Sequence, residues 1–131
     1  MLFSRRVGIG ESVLLVVDAQ DSFKATPRWQ RRSNLAFEDN VGALVDAYRN
    51  AGLPIVYLLH TDEDEGFATD SPYFKLMDFI HPRPEEPVMV KNTRNAFTST
   101  RLAEWLLEKG ARRVVVTGIS HDRGHAKVSI L

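Results

Sequence analysis

Three ionisable side chains stand at the points where apolar runs of the sequence end. Asp18 follows the run VLLVV, His60 closes PIVYLLH, and Lys91 closes PVMVK. Such runs predict strands of a parallel sheet, and open α/β sheets bind ligands in the crevice outside the strands' carboxyl ends. Burial there would raise the pKa of Asp18 and suit it to proton transfer, with Lys91 as its electrostatic partner. We therefore expect their charged atoms to lie within about 6 Å of each other.

Other interpretations of these residues stay open at the level of the sequence. Asp18 also fits the cap of a turn or of a helix start. His60 and Asp18 could together bind a metal or share a proton, but no third ligand is evident and we predict no metal. Phe23 and Trp29 fit the wall of a pocket and the edge of the core equally well.

Composition and missing motifs exclude several classes of protein. The chain has 17 basic and 17 acidic residues, so no overall charge favours nucleic acid or an anionic membrane. It has no run of about 18 apolar residues that would span a membrane. The N-terminus, MLFSRRVGIGES, is too polar for a signal peptide, so we expect a cytoplasmic protein. A Walker loop, a GxGxxG turn after a strand and a GxSxG elbow are all absent.

Cysteine is also absent from the 131 residues. This excludes a disulfide framework, a thiolate metal site and a catalytic thiol. The absence matters because Asp18 and Lys91 would form a workable hydrolytic triad with a nucleophile in the turn after Gly118. A thiol at a helix start there would be activated by the helix dipole and by the neighbouring charges.

The elements that would position these residues follow from the apolar periodicity. We predict strands at 13–17, 54–60, 87–91 and 113–118, helices at 34–51 and from 99 or 100 to 109, and a short amphipathic segment at 71–80. This order predicts a single α/β domain over residues 1–131. Its sheet is parallel with helices on both faces, a Rossmann-like three-layer α/β/α arrangement with right-handed crossovers.

Four blocks of the sequence also match, in order, the pattern of one known family. The blocks are LLVVDAQDSF, PIVYLLHTD, VKNTRNAFTSTRLAEWL and RRVVVTGIS, which together span about 12–120. In them the chain resembles the isochorismatase-like cysteine hydrolases, which include nicotinamidases and N-carbamoylsarcosine amidases. The resemblance implies that Asp18 is the catalytic aspartate and Lys91 the catalytic lysine of a cofactor-free hydrolase. It also implies a set of substrate-binding residues, which are Gln20, Phe23, His60 and Phe97.

The resemblance ends after TGIS. The family's cysteine would fall on Gly124, and the bond between Ile119 and Ser120 matches a cis peptide in the turn that helps to form the family's oxyanion hole. The remaining HDRGHAKVSIL supplies neither the nucleophile nor the helix that carries it. We therefore expect a fold that is incomplete at the C-terminus, with an atypical tail over 121–131 that arises from a change of reading frame.

Two functions follow as expectations. The first is that the chain descends from enzymes that hydrolyse amide or related bonds of small molecules, and that this truncated form is inactive. The alternative is a non-catalytic pseudoenzyme that binds a small molecule or a partner chain. Neither involves nucleic acid, a membrane or a cofactor, and both leave homo-oligomerisation open.

Overall fold

The structure is a computed structural model of the 131-residue chain, and it describes residues 12–25, 37–63, 66–92, 100–121 and 128–130. In chain order the strands are β1 (Ser12–Val17), β2 (Ile55–His60), β3 (Val88–Lys91), β4 (Arg113–His121) and β5 (Val128–Ile130). The α-helices are α1 (Phe37–Asn50) and α2 (Leu102–Glu108), and a short 3-10 helix at Asp21–Ala25 follows β1. None of the helices in these ranges is long and apolar enough to cross a membrane.

The strands form one sheet in the order β3-β2-β1-β4-β5. The first four run parallel, as the alternation of strands and helices predicts. β5 runs antiparallel to β4 through the pairs of Ile119 with Ile130 and Ser120 with Ser129. The tail thus adds a strand that the sequence analysis did not predict, because its three residues carry too little pattern to distinguish a strand from a loop.

β1 is buried on both faces, which explains its unbroken apolar run. Leu14 and Val16 pack in one cluster with α1, whereas Val13 and Leu15 pack in a second cluster with α2. Successive side chains of a strand point to opposite faces, so the two clusters lie on opposite sides of the sheet. The predicted arrangement of helices on both faces is therefore confirmed.

The helices present the apolar faces that their spacing predicts. In α1 the buried residues recur at helical intervals and include Val41, Val45 and Tyr48. In α2 the buried residue is Leu102, and Trp105 and Leu106 pack partly buried against the same cluster. The predicted cap Asn34 lies outside the described residues.

The amphipathic segment at 71–80 is made of turns rather than a regular element. Its backbone is tied to the chain just after β1, since Met77 N–H donates to the Ala19 carbonyl at 3.0 Å and Asp21 N–H donates to the Lys75 carbonyl at 2.9 Å. Met77 and Ile80 are buried in the same cluster as α1. The segment therefore braces the turn that carries Asp18.

Candidate active site

A buried ion pair joins the ends of β1 and β3. Lys91 Nζ lies 3.0 Å from Oδ1 of Asp18 and donates a hydrogen bond to Oδ2 at 3.3 Å. The side chains of Asp18 and Lys91 are only 8% and 5% exposed. The prediction that these charges lie within about 6 Å is confirmed.

The sheet register explains how the lysine reaches the aspartate. β2 lies between β1 and β3, and Lys91 is paired with His60 at the end of β2. Neighbouring strands are about 4.8 Å apart, so a contact across two strands requires a side chain as long as lysine. The backbones are fixed as well, because Asp18 N–H donates to the Leu58 carbonyl at 2.8 Å and Thr61 N–H donates to the Lys91 carbonyl at 2.9 Å.

Asp18 turns the chain sharply away from the sheet. Its φ of 58° is in the left-handed region, which aspartate tolerates better than most other non-glycine residues. Beside it, Gly118 of β4 pairs with Val17 and has a φ of 126°. A Cβ at Gly118 would overlap the carbonyl oxygen of Val17. Glycine is therefore required for the close approach of the two backbones next to the ion pair.

The surroundings of Asp18 act on its proton affinity in opposite directions. Burial raises the pKa of the Asp18 carboxyl group, and the charge and hydrogen bond of Lys91 oppose that rise. Oδ1 is in ionic contact with Lys91, but no described residue forms a hydrogen bond with it. A buried carboxylate with a raised pKa and an unused lone pair can take a proton from a bound group.

His60 stands beside this pair at the end of β2. Its Nε2 lies 3.0 Å from Oδ2 of Asp62, and its Nδ1 has no hydrogen-bond partner among the described residues. The ring contacts Phe67 at a centroid distance of 6.0 Å, and Phe67 stacks edge-on against Phe23 at 4.9 Å. Phe23 is 1% exposed, so it supports the wall through Phe67.

Gln20 fastens the turn after β1 to the end of β2. Its Oε1 accepts from His60 N–H at 2.7 Å, and its Nε2 donates to the His60 carbonyl and to Ser22 Oγ, both at 2.9 Å. The side chain is fully buried. Gln20 thus holds the backbone of His60 in place relative to Asp18, and its amide is engaged by the protein itself rather than free for a substrate.

The prediction of a turn directly after Gly118 is wrong, because the strand continues there. Ile119 and Ser120 lie within β4, where pairing with β5 extends the strand three residues beyond Gly118. Ile119 is buried in the core beside α1, and the described residues contain no cis peptide bond, so the bond that matches the family's cis peptide is trans in this chain. Phe97, Gly124 and Trp29 lie outside the described residues.

Asp62 and Phe67 belong to the site, although the sequence pattern did not predict either of them. Asp62 opens an acidic run that resembles a solvated loop, although its position two residues after His60 could have indicated a contact with the ring. Phe67 had no signal, because its position depends on tertiary contacts such as the hydrogen bond that Thr61 Oγ1 donates to the Phe67 carbonyl at 2.7 Å. In the described ranges, no three histidine or acidic side chains group together in a way that could hold a metal ion.

A known protein-family profile matches most of the chain. The profile of the Isochorismatase domain matches residues 12–124. The isochorismatase family protein YrdC of Bacillus subtilis (strain 168) is 27% identical over 112 residues, which cover 84% of this chain and 59% of YrdC.

Solved structures agree with this match. An isochorismatase-family protein from Chromobacterium violaceum ATCC 12472 superposes with a TM-score of 0.77 and 29% identity over 92% of this chain and 63% of that one. N-carbamoylsarcosine amidase from Thermoplasma acidophilum superposes with a TM-score of 0.70 over 82% of this chain and 67% of its own, and at 23% identity it supports the fold alone. The chain spans about three fifths of the length of YrdC and of the Chromobacterium protein. With its parallel sheet, its paired strand-end residues and a domain match over nearly its whole length, the chain belongs to the isochorismatase family.

Proposed function

We propose that this chain derives from hydrolases of small-molecule amide or related bonds, and that its 131 residues bind such molecules without hydrolysing them. The observation that carries the proposal is the buried Asp18–Lys91 pair in a sequence without cysteine. Membership of the isochorismatase family supports the hydrolase lineage.

The chemistry of the pair explains which part of the reaction it serves. In a hydrolase with a thiol beside this pair, Asp18 would accept the thiol proton as the sulfur attacks the carbonyl carbon, and Lys91 would stabilise the charged carboxylate before the transfer. None of these 131 residues supplies a thiolate. Binding does not require the thiol, because the acceptor and the cation are held in place by the sheet.

Turnover and binding are tested with the same amide. We expect incubation with nicotinamide to release no ammonia above the buffer rate, and saturation-transfer NMR to detect nicotinamide bound to the chain. Asp18→Asn should weaken that binding. Asp78→Asn, which changes a side chain that is 90% exposed, is the matched control and should leave binding unchanged. Turnover that Asp18→Asn abolishes would contradict the proposal, because it would require another nucleophile or an activated water.

A partner-binding role is the second candidate, and an exposed apolar face favours it. Val114 and Val116 of β4 are 40% and 46% exposed, on the side of the sheet where Val13 and Leu15 of β1 pack under α2. Exposed apolar surface of this kind marks association sites. With equal numbers of basic and acidic residues, two copies of the chain have no net charge to keep them apart. In this candidate we take the partner to be a second copy of the chain.

A further inference from the structure

The two ring nitrogens of His60 are in different surroundings. Nε2 lies 3.0 Å from Oδ2 of Asp62, whereas Nδ1 is buried without a hydrogen-bond partner among the described residues. His60 as a whole is 9% exposed, and Phe67 packs against its ring. Buried polar atoms are nearly always hydrogen-bonded, so a buried ring nitrogen without a partner among the described residues is a place where a bound molecule can supply the missing contact.

The contact with Asp62 decides the chemical character of Nδ1. An ionised carboxylate only accepts hydrogen bonds, so Nε2 must carry the proton in this pair. In the neutral ring the other nitrogen then has a lone pair and no hydrogen. Nδ1 is therefore a hydrogen-bond acceptor, because Asp62 holds the ring proton on Nε2.

The neighbouring groups do not supply the missing donor. Lys91 Nζ is engaged with Asp18, and the amide of Gln20 is engaged with the backbone of His60 and with Ser22. Asp18 Oδ1 is a second acceptor that receives no hydrogen bond from a described residue, although the Lys91 ammonium lies 3.0 Å from it. The ends of β1 and β2 thus present two acceptors, and their complement is a molecule that carries N–H or O–H donors.

We propose that His60 is a specificity-determining residue whose Nδ1 accepts a hydrogen bond from an N–H or O–H group of the bound small molecule. Asp62 acts as the positioning residue that fixes the tautomer. Donor-bearing ligands such as primary amides are then preferred over ligands of the same shape that lack a donor, such as esters. The inference rests on the proposed small-molecule site, and it adds which molecules that site prefers.

The tautomer is tested by NMR without any ligand. In long-range ¹H–¹⁵N spectra at about pH 8, above the ordinary titration range of imidazole, we expect His60 to carry its proton on Nε2. Asp62→Leu should lose this preference, and Asp62→Asn, whose amide oxygen still accepts, should keep part of it. Glu63→Gln changes a neighbouring exposed carboxylate and is the control that should leave the spectrum unchanged. A proton on Nδ1 in the unchanged chain would overturn the inference.

Selectivity is tested with nicotinamide and methyl nicotinate, which share a ring and differ in the amide N–H donors. We expect the chain to bind nicotinamide about tenfold more tightly, the size of one net hydrogen bond. His60→Phe, which keeps an aromatic ring, should abolish the preference while circular dichroism confirms folding. Equal affinities in the unchanged chain would overturn the selectivity and leave the proposed function standing. Failure of both probes to bind would overturn the proposed function and, with it, the selectivity assigned to His60.

Discussion

At the scale of single residues, the site depends on groups that are costly to bury and that compensate one another. Asp18 and Lys91 are both almost fully buried, and each is the other's ionic partner. Removing one member of a buried pair leaves an uncompensated charge, whereas removing both leaves none. The pair is therefore coupled energetically, and the coupling can be measured.

A double-mutant cycle measures this coupling. We expect Asp18→Asn and Lys91→Met each to lower the free energy of unfolding by about 3 kcal/mol, because each leaves a buried polar partner without compensation. The double variant should lose much less than the sum of the two. Urea unfolding of the four proteins gives the values, and additive losses would show that the two side chains do not interact.

Gly118 and Gly42 make a second comparison at this scale. Alanine at Gly118 would overlap the Val17 carbonyl oxygen in a backbone with a φ of 126°, so Gly118→Ala should destabilise the chain severely or prevent folding. Gly42 lies within α1, and no other atom lies within 4 Å of the position that a Cβ would take there, so Gly42→Ala should stabilise by about 0.5–1 kcal/mol. Thermal unfolding of both variants checks the contrast. A Gly118→Ala protein as stable as the unchanged chain would contradict the close approach of β1 and β4.

At the scale of elements, the sequence predicts the features that depend on the local pattern of apolar residues. The apolar runs predict β1 to β4 within a few residues, and the meeting of Asp18 and Lys91 follows because parallel strands end at one edge of a sheet. The contacts of Gln20 could not be predicted, since they are made with the backbone of a residue 40 positions away. The extension of β4 could not be predicted either, because it depends on pairing with the short β5.

A second ion pair ties three elements together away from the site. Arg49 of α1 donates to both carboxylate oxygens of Glu86 at 2.8 and 2.9 Å, and Tyr57 of β2 donates to Glu86 at 3.0 Å. Chiefly because of the Arg49 hydrogen bonds, the pKa of Glu86 falls from an ordinary 4.5 to about 2. Glu86 itself stands in the turn before β3. The cluster thus joins α1, β2 and the approach to β3.

The lowered pKa of Glu86 predicts a pH dependence of stability. An acid whose pKa is depressed on folding stabilises the fold above its unfolded pKa, and this contribution is lost as the pH falls from about 4.5 towards 2. At pH 6 Glu86→Gln should therefore be less stable than the unchanged chain by about 2–3 kcal/mol, and the difference should close near pH 2. Urea unfolding at a series of pH values measures it. A difference that stays constant with pH would contradict the role of the charge.

At the scale of the whole molecule, the exposed valines of β4 form one of the apolar surfaces that the described part of the fold leaves uncovered. Val114 and Val116 form apolar surface on the same face as the packed residues of β1. The chain spans about three fifths of the length of YrdC and of the Chromobacterium protein. The next experiment asks whether a second copy of the chain covers this face.

Self-association through this face is the expectation of the second candidate function. Sedimentation velocity should show a concentration-dependent dimer, and Val116→Lys should shift it to monomer because the substitution places a charge on the apolar face. Tyr73→Lys, at a residue that is 46% exposed in the 71–80 segment that packs beside α1, is the matched control and should leave the dimer intact. A monomer at all concentrations would reject a second copy as the partner and leave the small-molecule site as the proposed function.

The protonation of Asp18 reports whether Asp18 and Lys91 act as one buried functional pair. A ¹³C NMR titration of the Asp18 carboxyl carbon should give a pKa above the ordinary aspartate value, because burial outweighs the attraction of Lys91. Lys91→Met should raise this pKa further, since it removes the opposing charge while the carboxyl group stays buried. An ordinary pKa that does not respond to Lys91→Met would contradict the pairing, and with it the site on which both proposals rest.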